Sequence, residues 1–349
     1  MEISKLPEYD NHELISYFND KKTGLRGFIA IHNTNLGPTA GGTRYFQYKS
    51  EEEALRDVLR LSKAMTYKCA LAGVPHGGAK AVIIKDPKFP KNEKFLAAYA
   101  KRINLLNGNF STGEDVGISQ EDVNILSKYS KFMIGHKNLA GDPSPWAGLG
   151  VFWAMHAALQ SVFGNDKFSD KSFAIKGLGK VGFSLLELIY KNGGRNIFVT
   201  DINKETANIA KKKFPEIKIV SPNIIHKQKV DVYAPCAMGA EFTETTIKEL
   251  KCRIICGGAN NQLANKKIGE DLHKKKILYI PDYLANGGGL INVVSELRPE
   301  GFSRNWVEQK TKAICQTAQK IIDLSKKQNK STSEVADRLA ESIFGAKSI

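Results

Sequence analysis

The stretch FAIKGLGKVGFSLLELIYKNGGRNIFVTDIN, residues 173–203, runs from an apolar segment through three spaced glycines into an amphipathic stretch, a second β-branched segment and an acidic residue. That order predicts strand, loop, helix, strand. A chain delivered through Gly177, Gly179 and Gly182 into a helix gathers unpaired backbone N–H groups at the helix start, where they hold phosphate. Gly177 permits the tight turn, Gly179 lets a pyrophosphate reach the backbone, and Gly182 lets the helix close on the strand. Lys180 and Val181 lie inside the same loop, and Lys180 either touches a phosphate or points to solvent. Asp201 ends the second strand, where a carboxylate accepts hydrogen bonds from ribose hydroxyls and repels a 2′-phosphate. The segment therefore reads as a site for NAD rather than NADP.

Around this segment, short β-branched runs alternate with helical stretches, at Phe173 to Ile175, Ile197 to Thr200, Ile217 to Val220, Val230 to Tyr233, Arg253 to Cys256 and Ile277 to Ile280. Six such runs make a parallel sheet covered by helices, a complete Rossmann dinucleotide-binding domain. Residues 1–135 read as a separate α/β domain, with strands at Gly27 to Ile31, Ala81 to Ile84 and Phe132 to Ile134, and helices near 51–69, 92–107 and 119–129. The Gly- and Pro-rich stretch GDPSPWAGLG, residues 141–150, precedes a helix expected from Val151, so the boundary falls just upstream. The fold class is thus α/β: a substrate-binding and catalytic domain over 1–135, a Rossmann domain over 136–329, and the active site in the cleft between them. A last helix, about 330–349, capped by Ser333 or Thr332, completes the first domain.

Composition narrows the class. With 42% hydrophobic and 25% charged residues among 349, the chain is that of a globular protein. It has no membrane-length apolar run and no signal-peptide pattern at MEISKLPEYD, so the expected address is the cytoplasm, without a membrane partner. The net charge of +15 is spread over helices and turns in short clusters such as Lys211, Lys212 and Lys213, without stacking aromatics, which argues against nucleic acid. Cys69, Cys236, Cys252, Cys256 and Cys315 form no CxxC pair, so neither a metal nor a disulfide is expected.

Chemistry is concentrated in the first domain. MTYKCALAGVPHGGAK places Lys68 and Lys80 on either side of a glycine-rich turn, with Lys80 leading into an apolar strand. Desolvation there lowers an amine's proton affinity and suits it to base catalysis, although two lysines lining a loop would look the same. FSTGEDVGIS holds Asp115 just ahead of a helix, where it serves equally well as a cap or turn residue.

Eight ordered blocks resolve these readings: LGPTAGGTR, MTYKCALAGVPHGGAK, TGEDVG, GDPSP, GLGKVG, VDVYAPCAMGA, GGANNQLAN and DYLANGGGLINV. Across nearly the full chain they resemble the Glu/Leu/Phe/Val dehydrogenase family, in its leucine and phenylalanine dehydrogenase branch. The resemblance implies oxidative deamination of an L-amino acid to a 2-oxo acid, with NAD reduced and ammonia released. It implies that Lys68 binds the substrate carboxylate, that Lys80 activates water, and that Asp115 shuttles protons to and from the nitrogen. Asn260 then touches both cofactor and substrate, and Arg44, Ile202 beside Asp201, Cys236 and Ala237 are further cofactor contacts. A homo-oligomer, dimeric or larger, is also implied.

By the same resemblance the substrate side chain is surrounded by Ala40, Gly41, Met65, Gly113, Leu290 and Val293. Glutamate dehydrogenases carry a lysine where this chain has Ala40, and an unpaired buried carboxylate is costly, so an apolar substrate is expected. Where this chain has Ala40, Gly113 and Leu290, leucine dehydrogenases tend to carry Leu, Ala and Val. The smaller residues at 40 and 113 imply extra volume and a bulky, even aromatic, side chain. Ala147 stands where the family has a threonine that bonds the nicotinamide amide, and Ala79 replaces a glycine. Two alternatives stay open: a non-catalytic NAD-binding regulatory protein, and a specialised member acting on an unusual 2-oxo acid in secondary metabolism.

Overall fold

The computed structural model describes residues 2–237 and 239–345, which fall into two compact units. The first takes residues up to 142, 292–303 and those from 340 onward; the second takes 143–291 and 304–339.

In the first unit the strands β1 (Leu14–Asp20), β2 (Leu25–Asn33), β3 (Thr39–Phe46), β4 (Gly77–Ile84) and β5 (Phe110–Gly113) form one sheet in the order β1-β2-β4-β3-β5. β1 and β4 run antiparallel to β2, while β3 runs parallel to both β4 and β5. Helix α1 (Glu51–Ala72) starts where the Ser50 side chain accepts from the Glu53 N–H, with Glu51, Glu52 and Glu53 in its first turn to complement the helix dipole. It ends at Gly73 in the left-handed region, φ 63°. Every residue of β4 is buried, because both faces of the sheet are covered. Leu55, Val58 and Leu59 of α1 pack with Phe28 and Val82 in one core cluster. A second cluster joins Phe95, Leu96 and Tyr99 of α2 (Glu93–Asn104) to Ile29, Ile83 and Phe110, with Val123 and Leu126 of α3 (Gln120–Leu126).

The expected strands at 27–31 and 81–84 lie inside β2 and β4, but Phe132–Ile134 does not form one. Met133 makes only an isolated bridge to Thr112. The structure adds β1, β3 and β5, whose sequences hide them: β1 is an edge strand with a single buried residue, Phe18, β3 carries paired glycines, and β5 has four residues.

The second unit holds β6 (Ser172–Lys176), β7 (Asn196–Thr200), β8 (Lys218–Ile219), β9 (Val232–Pro235), β10 (Ile254–Ile255) and β11 (Leu278–Tyr279), all parallel, in the order β11-β10-β9-β6-β7-β8. The order reverses between β6 and β9. This is the topological switch point at which doubly wound folds bind ligands. Helix α4 spans Ser144–Phe163, seven residues earlier than expected, so residues 144–150 of the Gly/Pro-rich stretch are helix rather than loop. Pro145 sits in the first turn, where a missing N–H costs nothing. Gly150 lets the helix approach its neighbour, since a Cβ there would lie 2.6 Å from the Ala285 carbonyl oxygen. The final helix, Thr332–Gly345, is capped by Ser331, which accepts from the Glu334 N–H at 3.3 Å; the Thr332 hydroxyl donates instead to the Tyr279 carbonyl.

Segment 292–303 is tied to the first unit by Asn292, whose Nδ2 donates to the Ala140 carbonyl at 2.9 Å, and above all by one carboxylate. Glu296, buried, accepts from the backbone N–H groups of Gly135, His136 and Ala140 at 3.1, 3.0 and 2.8 Å, and pairs with His136 Nδ1 at 2.7 Å. Glu296→Ala would strand these donors. Its expected cost is about 3 kcal/mol in urea unfolding; an unchanged midpoint would show that water replaces the carboxylate.

Candidate active site

β4 carries Lys80 into the buried interior of the first unit, and the turn after β5 carries Asp115 to meet it. The Lys80 Nζ and Asp115 Oδ2 atoms form an ion pair in which the side chains are 9% and 15% exposed. Such a pair is stable only while both members are present, because either charge alone in that setting is strongly destabilising. The turn fixes Asp115 further: the Val116 N–H donates to Oδ1 at 2.7 Å, and the Tyr45 N–H donates to the Val116 carbonyl at 2.8 Å. Arg44 Nη2 lies 3.6 Å from Asp115 Oδ1. Burial pushes the Asp115 carboxyl up, but Lys80, Arg44 and the Val116 N–H outweigh it and hold the group at about 2.

Space for the pair comes from Gly42, which the sequence reading passed over. A Cβ on Gly42 would lie 2.5 Å from the Glu114 carbonyl oxygen, 3.0 Å from Asp115 Cβ and 3.2 Å from Lys80 Nζ. Its register partner across the β3–β5 ladder is Gly113. At Gly113 a Cβ would stand 2.5 Å from the Ile134 carbonyl oxygen. The expectation of extra volume at 113 is therefore corrected: the backbone fills that direction, and a Cβ there would require the Ile134 carbonyl to shift.

The other residues expected around the substrate are divided. Ala40 is fully buried on β3 between Gly78 and Ser111, with no cation at that position. Gly41 is next on the strand and faces Met65 of α1, whose Cγ would lie 3.4 Å from a Cβ there. Lys68, half-buried, is one turn beyond Met65 on the same helix face. Val293 belongs to the first unit, where its Cγ1 would lie 3.5 Å from a Cβ on Gly135, whereas Leu290, 8% exposed, belongs to the second. Arg44, expected as a cofactor contact, makes its ion pairs with Asp57 and Asp115 inside the first unit.

In the second unit the glycine loop leads from β6 into α5 (Lys180–Lys191), whose N-cap is Gly179 with no side-chain cap, a helix start of the kind that suits phosphate. Gly177 has φ 93°, and a Cβ there would lie 2.8 Å from the Ala237 nitrogen; a Cβ on Gly182 would run into the Gly177 carbonyl. Cys236 and Ala237 thus press against the loop from the end of β9. Beside Gly179 the Cβ direction is open, with no atom within 4 Å, which is the clearance a pyrophosphate needs. Val181 Cγ1 faces Gly258, a second glycine missed in the sequence, and Lys180 is exposed at the start of α5. Asp201 accepts from the Leu178 N–H at 2.6 Å and the Asn203 N–H at 2.8 Å, retaining acceptor sites on both oxygens. Ile202 beside it is 94% exposed. Asn260, exposed after β10, accepts from Asn286 Nδ2 at 2.7 Å. These features fit a dinucleotide.

Comparison with known proteins agrees. A family model described as Glu/Leu/Phe/Val dehydrogenase, dimerisation domain, matches residues 12–136, and one described as Glutamate/Leucine/Phenylalanine/Valine dehydrogenase matches residues 198–347. The chain belongs to the Glu/Leu/Phe/Val dehydrogenase family. It is 42% identical to a leucine dehydrogenase from Bacillus cereus, over 98% of this chain and 93% of that protein. It is also 42% identical to a phenylalanine dehydrogenase from Caldalkalibacillus thermarum, over 96% and 91%. The crystal structure of L-tryptophan dehydrogenase from Nostoc punctiforme superposes with a TM-score of 0.85 at 38% identity, covering 97% of each chain. The Glu/Leu/Phe/Val dehydrogenases are NAD(P)-dependent oxidoreductases, and the leucine and phenylalanine dehydrogenases among them act by oxidative deamination of apolar amino acids. Among the described residues, no helix is long and apolar enough to cross a membrane.

For this family member the low position of Asp115 has a thermodynamic consequence. With the folded value below the ordinary 3.8, Asp115 adds stability that is complete above pH 4 and lost as pH falls toward 2. The stability lost in Asp115→Asn should accordingly be about 1 kcal/mol greater at pH 6 than at pH 3 in denaturant unfolding. A loss independent of pH would contradict the pairing.

Proposed function

We propose that this protein converts an apolar L-amino acid, water and NAD to the 2-oxo acid, ammonium, NADH and a proton, with larger side chains preferred over valine. The buried Lys80–Asp115 pair carries the reading. It sets a proton donor and a proton acceptor side by side, in a site dry enough to strengthen their effect.

Lys68 binds the α-carboxylate and so fixes the Cα hydrogen for removal. Asp115 takes a proton from the substrate ammonium, leaving the nitrogen lone pair to drive hydride departure. NAD, when bound, supplies the hydride acceptor. Lys80 Nζ, its ammonium proton released to solvent as the net proton of the reaction, then accepts a proton from the water that attacks the resulting iminium carbon; Asp115 returns its proton to the nitrogen, takes the hydroxyl proton as ammonia leaves, and hands it on to give ammonium. Gly177, Gly179, Lys180, Val181 and Gly182 hold the pyrophosphate. Asp201 with Ile202 holds the adenosine end, where the carboxylate disfavours a 2′-phosphate, and Arg44, Cys236, Ala237 and Asn260 complete the cofactor contacts. Asn260 also meets the substrate.

Ala40, Gly41, Met65, Gly113, Leu290 and Val293 are assigned to the substrate side chain. The preference for bulk rests on Ala40, and the 38% identity to an L-tryptophan dehydrogenase supports it. The same reading includes a cytoplasmic homo-oligomer, supported by the dimerisation-domain model that matches the first unit.

NADH formation with leucine, phenylalanine, tryptophan, valine and glutamate tests the assignment. Phenylalanine or leucine should exceed valine by about tenfold in kcat/KM, glutamate should be barely detectable, and NADP should be poorer than NAD. Lys80→Met should lower kcat by about 10³. No NADH with any apolar amino acid would overturn the function, and valine as best substrate would overturn the preference.

A further inference from the structure

We infer that Asp57 is a positioning residue for this reaction: it holds the Arg44 guanidinium back from Asp115, so that Asp115 Oδ1, which already accepts from the Val116 N–H, keeps its second acceptor position for the substrate nitrogen. The inference rests on the proposed role of Asp115 as acid and base.

Arg44 is shared between two carboxylates, unequally. Its Nη1 lies 2.9 Å from Asp57 Oδ2, while its Nη2 lies 3.6 Å from Asp115 Oδ1. The first distance is that of a full charge-assisted hydrogen bond, and the second is well beyond it. Asp57 is itself fixed from two further sides. Tyr48 OH donates to its Oδ2 at 2.7 Å, and Arg60 Nη2 lies 2.6 Å from its Oδ1. The Asp57 side chain is only 13% exposed, so this anchor is poorly screened by solvent.

The guanidinium is not placed to satisfy itself. Its Nε is buried with no hydrogen-bond partner. An arginine free to choose would lay two N–H groups flat on a carboxylate, the geometry its fork favours. With Asp57 neutralised, Asp115 would become the only charged partner of Arg44 among those it now bonds. Closing onto Asp115 would engage Oδ1 and weaken its hold on a proton. Removing a nearby negative charge shifts that hold in the same direction, so the two effects add. Asp57 thus keeps Arg44 near enough to favour the carboxylate form of Asp115, yet too far to occupy it.

Sequence position alone gives no hint of this. Asp57 lies on α1 among glutamates and arginines that read as a solvated helix face.

The test is NADH formation by the full-length variants D57N, D57E, Y48F, R44M, D57N/R44M and D115N with the best apolar amino acid. D57N should lower kcat about tenfold with KM for the amino acid within about twofold, and D57E should recover most of the loss. Y48F, which removes one donor from Asp57, should give a smaller loss in the same direction. In the R44M background D57N should change kcat by less than about twofold, because the residue through which it acts is gone. Equal losses from D57N in both backgrounds, or none in either, would overturn the inference. Wild-type activity in D115N would instead remove the reading beneath it.

Discussion

A lysine and an aspartate buried against one another govern the architecture of the first unit. Neither Lys80 nor Asp115 is stable there alone, so each element that supplies one depends on the element that supplies the other. β4 must be covered on both faces to bury Lys80. The turn after β5 must be pinned, and Val116 and Tyr45 do this through their backbone. Gly42 must lack a side chain, since the smallest one would stand within contact of both charged groups. The same constraint explains why Arg44 matters: the second positive charge near Asp115 keeps the carboxyl ionised without displacing its partner.

The second unit is organised by a different requirement, that backbone rather than side chains meet the ligand. The loop at Gly177 is shaped by contacts behind it, where Cys236 and Ala237 leave no room for a Cβ, while the space beside Gly179 is open. An uncapped helix start and a carboxylate at the end of the second strand finish a surface suited to phosphate on one side and ribose on the other. Cys252 and Cys256 are buried in this unit, and at Cys236 desolvation pushes the thiol up to about 11, far from thiolate reactivity near neutral pH.

What the sequence disclosed follows from how local each signal is. The strand, glycine loop, helix and Asp201 lie in one contiguous stretch, and all six parallel strands were legible as β-branched runs. β3 and β5 were not, because TAGGTRYF and FSTG are dictated by tight approach of neighbouring strands rather than by apolar alternation. Pairing of Lys80 with Asp115 was foreshadowed only by resemblance, since nothing in their spacing announces contact. Gly113 illustrates the opposite error. A small residue suggests volume until the Ile134 carbonyl is seen to occupy it. Glu296 carried no local sign at all, its donors lying about 160 positions away in the chain.

Titration of the Asp115 carboxyl carbon by NMR, in wild type and in Lys80→Met, addresses the central claim most directly. In the wild type the carboxyl should stay ionised through pH 4 and begin to protonate only near 2, and removal of the Lys80 charge should move its midpoint upward by at least one unit. A wild-type midpoint at or above the ordinary carboxylate range, or one indifferent to Lys80, would contradict a site built on this ion pair.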